Sequence, residues 1–215
     1  MNKSWVPLSG VLFLILVIVS GIVAGEPPSV DDPVQEIVDH YVDNKDSIMV
    51  GSLISVVAVF FFLVFASYLR NVLRAAPGED GLLANVAFAG AIILAVGAAI
   101  DQTIYFALAE TVDEIEPSSV QALQALWDND FIPFVIGAGS FLLASGLSIV
   151  LHGSLPKWLG WIGILLGVVA FTPAGFVGFI GGALWILIAS ILMAMRARND
   201  ASTPGSASPA ASPTV

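Results

Sequence analysis

Long apolar runs separated by short polar gaps dominate this chain. Leu8 to Gly25 is the first run, and Ile48 to Leu69 is the second. Leu82 to about Ala109 is the third, and Phe131 to Leu151 is the fourth. An α-helix rises 1.5 Å per residue, so about 20 apolar residues cross a hydrocarbon core of about 30 Å. Each run therefore predicts one membrane-spanning helix. Trp158 to Met195 is 38 residues, about 57 Å as one helix, nearly twice the core. The chain must reverse inside it, and Thr172-Pro173-Ala174-Gly175 is the place where turn residues gather. This gives a fifth span at 155–171 and a sixth at 176–195. The spacing predicts an all-α, polytopic six-helix bundle with spans near 8–25, 48–69, 82–109, 131–151, 155–171 and 176–195.

Two gaps carry helical periodicity of their own. After Asp32 and Pro33, apolar Val34, Ile37, Val38 and Tyr41 recur at helical spacing, with Gln35 placed to close a capping box on Asp32. Val120, Leu123, Leu126 and Trp127 repeat the pattern after Ser118, with Gln121 three residues beyond it. Both segments read as short amphipathic helices on the outer membrane surface. The Ala/Ser/Pro/Thr-rich end, 199–215, reads as a disordered cytoplasmic tail, leaving 1–198 as the membrane domain.

Composition agrees with the pattern. Hydrophobic residues make up 57% of the 215 and charged residues 11%, with a mean hydropathy of +0.93. The net charge of −10 becomes informative once it is divided by side. Lys3, Arg70, Arg74, Lys157, Arg196 and Arg198 fall in alternate gaps, as cytoplasmic loops collect Lys and Arg. On that topology the inner side holds six cations against three acids, a net of +3. The outer side holds Lys45 against thirteen acids, a net of −12, and Asp101 supplies the remaining charge. Both termini are then cytoplasmic. The first run also admits a signal-peptide reading, since Val23-Ala24-Gly25 offers small residues for cleavage. No basic face is large enough to neutralise several phosphates of a nucleic acid.

Candidate chemistry is sparse. Asp101, Gln102, Thr103 and Tyr105 form the one dense polar cluster within an apolar run, with Glu110 beyond it. An ionisable residue within a span raises a functional hypothesis, here a proton or cation relay. The competing reading is a helix that leaves the hydrocarbon near Ile100, because the 19 residues from Leu82 already span about 28 Å. Glu36, His40 and Asp43 lie on neighbouring turns but lack the paired spacing of a zinc motif, so a solvated acidic face is the expectation. Gly163 and Gly167, and Gly178 and Gly182, have the small-xxx-small spacing that lets helices approach closely in lipid. Trp185, mid-span, reads as a packing residue. His152, near Ser154, has no acidic neighbour in the sequence. The chain has no Cys, so thiol catalysis and disulfides are excluded. No catalytic residues, metal site or cofactor are expected. The bilayer is the expected partner, with a membrane-protein partner or a second copy of the chain as further options.

Three stretches carry a family resemblance: His40-Tyr41-Val42-Asp43-Asn44-Lys45-Asp46, the helix end Tyr68-Leu69-Arg70-Asn71-Val72-Leu73-Arg74, and Leu155-Pro156-Lys157-Trp158-Leu159-Gly160-Trp161. In these the chain resembles multi-pass membrane proteins of actinobacteria of the DUF4386 kind. That family has no established activity, so the resemblance implies location and fold rather than chemistry. The expectation is a non-enzymatic membrane or envelope component. The alternatives are a small proton-coupled carrier using Asp101 and a cation or pH sensor with an acidic outer cap.

Overall fold

A computed structural model describes residues 3–202. A short 3-10 helix, Lys3–Leu8, leads into α1 (Ser9–Ala24). The chain continues through α2 (Val34–Asp43), α3 (Lys45–Arg74), α4 (Leu82–Thr111), α5 (Pro117–Asp128), α6 (Ile132–His152), α7 (Lys157–Ala170) and α8 (Gly175–Ser202). The described residues contain no strand. The expected tail lies outside the described residues from 203 onward, and α8 runs through its first four positions.

Five segments are long and apolar enough to cross a membrane; they lie in Trp5–Ala24, Lys45–Arg74, Leu82–Thr111, Pro117–His152 and Gly175–Asn199. The expected fifth span is shorter than its apolar run. As α7 it has 14 residues, about 21 Å of helix. Pro156 holds an extended conformation before its first turn, and Phe171 to Ala174 form the reversal after it. There the Thr172 hydroxyl donates to Val169 O at 2.8 Å and accepts from Ala174 N at 3.2 Å.

The helices form a ring in which α1 packs on α3, α3 on α4, α4 on α6, α6 on α7 and α7 on α8, with α8 returning to α1. Aromatic contacts, the first tilted and the next two edge-on, run across the interior. Phe13 meets Phe62 at 5.1 Å, Phe62 meets Phe141 at 5.8 Å, and Phe141 meets Trp185 at 5.8 Å. Phe62 and Phe65 are buried, whereas Phe60 of the same run is 61% exposed. Lipid is as apolar as these side chains, so close fit and satisfied polar groups hold such a ring together. Trp185 illustrates both: it is 1% exposed, and its Nε1 donates to Leu159 O at 2.9 Å.

Arg70, Arg74, Lys157, Arg196 and Arg198 gather at one end of the bundle, the basic end, and α2 and α5 pack at the opposite, acidic end. There a second apolar cluster joins Ile37 and Tyr41 of α2, Ile48 of α3, Tyr105 and Leu108 of α4 and Val120 of α5. The capping boxes differ from expectation. No side chain caps either short helix. Asp32 turns back and its Oδ2 accepts from Ser29 N at 2.8 Å. Helix α5 starts at Pro117, whose fixed φ and missing N–H suit the first helical position, so Ser118 is already inside the helix.

Candidate functional site

The acidic end is built around Gln124, a polar residue that is fully buried. It falls on the apolar stripe of α5, four residues after Val120. The Tyr41 hydroxyl donates to its Oε1 at 2.6 Å. Its Nε2 donates to Pro28 O at 2.8 Å and to Asp128 Oδ1 at 2.9 Å. Asp128 Oδ2 in turn accepts from Val30 N at 2.8 Å. One network thus ties α5 to α2 and to the segment before α2. Burial, reinforced by Tyr105, Asp128 and Asp101, pushes the Tyr41 hydroxyl above its ordinary value. The phenol therefore stays protonated and remains a donor to Gln124.

Beneath this network lies an aromatic row. Tyr105 of α4 is 4% exposed and stacks on Trp127 at 5.2 Å, with the ring planes 23° apart. Tyr41 meets Tyr105 edge-on at 5.8 Å, and His40 meets Tyr41 edge-on at 5.4 Å. Around the row, four buried polar atoms have no hydrogen-bond partner: Tyr105 Oη, Trp127 Nε1, Asp130 Oδ2 and His40 Nε2. Asp101 is half-buried at the edge of the row, where its Oδ2 accepts from Gln102 Nε2 at 2.8 Å. Burial lowers the affinity of His40 for a proton, partly offset by Asp43.

The polar cluster expected on α4 therefore divides. Asp101 and Tyr105, four residues apart, meet the aromatic row. Gln102, Thr103 and Glu110 instead line an open groove of about 390 Å³ shared with Ser52 of α3. Thr103 donates back to Ala99 O at 2.7 Å. Glu110 is exposed, and its backbone oxygen accepts from Lys45 Nζ at 3.0 Å. Lys45 also pairs with Asp113 at 3.6 Å. Sequence reasoning passed over Gln124, Asp128 and Asp130. The usable signal was a glutamine on an apolar stripe with an aspartate four residues later. Among the described residues no three of His, Asp and Glu come together to hold a metal ion.

Each of the four paired glycines faces a neighbour in the same chain. A Cβ on Gly167 would lie 2.6 Å from Leu143 N of α6, and one on Gly178 would lie 2.9 Å from Ala170 N of α7. Gly163 faces Trp185 and Leu142, and Gly182 faces Leu142.

At the basic end, His152 finds the acidic partner that its own sequence neighbourhood lacks. Glu79, from the turn between α3 and α4, places Oε2 3.0 Å from His152 Nδ1. The same oxygen accepts from Ser148 Oγ at 2.6 Å, and Oε1 accepts from Gly81 N at 3.1 Å. The Glu79 side chain is 1% exposed and that of His152 is 20% exposed. Nearby, the Arg70 guanidinium donates to Asn85 Oδ1 through Nε at 3.0 Å and Nη2 at 2.8 Å, and lies over the Phe88 ring.

Together these features define an all-helical protein with five segments able to cross a membrane and polar clusters at both ends of the bundle. The chain belongs to the DUF4386 family, a domain of unknown function, whose profile matches residues 8–198. No curated protein and no solved structure matches it.

Proposed function

We propose that this protein is a non-enzymatic component of a bacterial plasma membrane whose outer cap, α2 and α5, responds to the proton or cation content of the outer medium. In this reading six helices surround the core, with α7 the shortest, and both termini are cytoplasmic. The supporting observation is the half-satisfied junction beneath the cap. Donors on Tyr105 and Trp127 and acceptors on Asp130 and His40 are buried without partners. A buried unpaired polar group costs about 1–3 kcal/mol. A closed cap with several such groups lies close in energy to an alternative packing, so a change of protonation can shift the balance between them.

A proton-coupled carrier using Asp101 is the second reading, favoured by the half-buried place of Asp101 one turn from buried Tyr105 on α4. It has less support because the buried polar side chains along the middle of the ring, Ser145, Ser190 and Trp185, are not ionisable near neutral pH, while buried Glu79 lies at the basic end and Tyr41 and Tyr105 at the acidic end.

The test is hydrogen exchange of the full chain in nanodiscs between pH 7.5 and 5.5, with and without Mg²⁺. The reading expects the protection factors of α2 and α5, corrected for the intrinsic exchange rate at each pH, to change while those of α6 and α8 stay constant. Unchanged protection in α2 and α5 under all conditions would overturn it. Proteoliposome proton flux abolished by Asp101→Asn would favour the carrier instead. The topology has its own check. The chain has no native Cys, so single cysteines at Asp80 and Glu114 should differ in labelling by an impermeant maleimide applied from outside, with only Glu114→Cys reacting.

A further inference from the structure

Arg196 stands between two openings at the basic end. On one side is a cavity of about 290 Å³ between the turn after α3, the turn after α6 and the end of α8, with Tyr68, Pro77 and Ser154 in its wall. None of its lining residues is acidic. On the other side is a groove of about 590 Å³ walled by Leu155, Pro156, Leu192 and Met195, with Asn199 at its polar part. Arg196 lines both. Its Nη1 donates to Ser154 O, which leaves most of the five guanidinium donors for another acceptor. Ser154 is only 5% exposed, yet its Oγ has no partner. Glu79, in the neighbouring turn, is already engaged by Ser148, Gly81 and His152.

We infer that this place binds the phosphate of an anionic phospholipid, with the headgroup in the cavity against Arg196 and Ser154 and an acyl chain along the apolar groove. A guanidinium fork and a buried hydroxyl match phosphate oxygens, and charge-assisted bonds of this kind are about twice as strong as neutral ones. The apolar side chains along the second opening, Leu155, Pro156, Leu192 and Met195, distinguish a lipid from free phosphate. Basic pockets between membrane helices are general binding places for anionic headgroups. The inference is independent of the outer cap, since it concerns the opposite end of the bundle.

The test uses the full chain in phosphatidylcholine nanodiscs, with native mass spectrometry and thermal melting as readouts. Phosphatidylglycerol, added phosphatidylcholine and inorganic phosphate are compared. Phosphatidylglycerol should bind about tenfold more tightly than phosphatidylcholine, and Arg196→Gln should remove that preference. Ser154→Ala should weaken it several-fold, whereas Arg198→Gln, which makes the same charge change outside both openings, should leave it intact. If Arg196→Gln does not fold, Arg196→Lys keeps the charge without the fork and should weaken binding several-fold. A preference unchanged in Arg196→Lys and Ser154→Ala overturns the inference. Saturable binding of inorganic phosphate as tight as that of phosphatidylglycerol overturns the lipid assignment.

Discussion

His152 Nδ1 lies 3.0 Å from Oε2 of Glu79, across 73 positions of sequence, and the carboxylate between them and Ser148 is 1% exposed. This contact joins the turn after α3 to the end of α6. Removing one member of a buried charged or hydrogen-bonded group leaves the others unpaired, at a cost of roughly 3–5 kcal/mol for a fully buried ion pair. His152 is partly exposed, which reduces that figure. Glu79→Ala is expected to destabilise the protein by about 2–3 kcal/mol. Ser148→Ala leaves Glu79 two partners and should lose only about 1 kcal/mol. Unfolding by SDS in mixed micelles measures both. Equal effects for the two variants would contradict this account.

The Tyr41–Gln124 hydrogen bond should behave as the central tie of the acidic end. Tyr41→Phe leaves one buried acceptor unsatisfied and is expected to lose about 1–2 kcal/mol. Gln124→Ala strands the Tyr41 hydroxyl and Pro28 O together and should lose about 2–3 kcal/mol. Because the residues share a bond, the double variant should lose less than the sum of the two. Strict additivity would mean that the bond contributes nothing.

Acid should loosen α2 through His40. Burial holds its folded value below the unfolded reference of 6.5. The unfolded segment therefore takes up a proton before the folded one does. The resulting stability is fully present above the unfolded value and is lost as pH falls through the lowered folded value. The protection factors of α2 amides, taken relative to the intrinsic exchange rate at each pH, should fall below pH 6.5, and His40→Gln should flatten the dependence. A fall in protection of the same size in His40→Gln would assign the effect to another group.

Two glycine substitutions should differ in sign. A Cβ on Gly167 meets the backbone nitrogen of Leu143 at 2.6 Å, where nothing can move aside. Gly167→Ala should destabilise by about 1–3 kcal/mol as α6 and α7 are forced apart. A Cβ on Gly21 of α1 meets nothing within 4 Å. Gly21→Ala should be neutral or stabilise by up to about 1 kcal/mol, the helix-propensity difference. Thermal melting in detergent separates the two.

Much of the architecture was legible because apolar run length reports directly on helix length in a membrane. The reversal at Thr172 to Gly175 was legible for the same reason, since 38 apolar residues exceed one crossing. The shortness of α7 was not, because apolar residues on either side of a helix look the same as those inside it. Capping failed at Asp32 and Ser118, where a shift of the helix start by one residue to Pro33 and by two to Glu116, both next to or at a proline, decides which side chain can reach the end. On α4, Asp101 and Tyr105 were visible as a pair sharing a face. Their neighbours Trp127 and Asp130 were not, because nothing local relates α5 to α4.

The sequence by itself determined the apolar segments, the separation of basic from acidic gaps and the short amphipathic helices, all properties of residues close together along the chain. Tertiary structure alone decided that Gln124 is a buried hub, that His152 has a carboxylate partner, that the polar cluster of α4 divides between an aromatic row and an open groove, and that Arg196 stands between a cavity and an apolar groove. Each of these depends on which faces of distant helices meet. That is set by close fit between helix surfaces, and in lipid no gradient of hydropathy along the sequence encodes it.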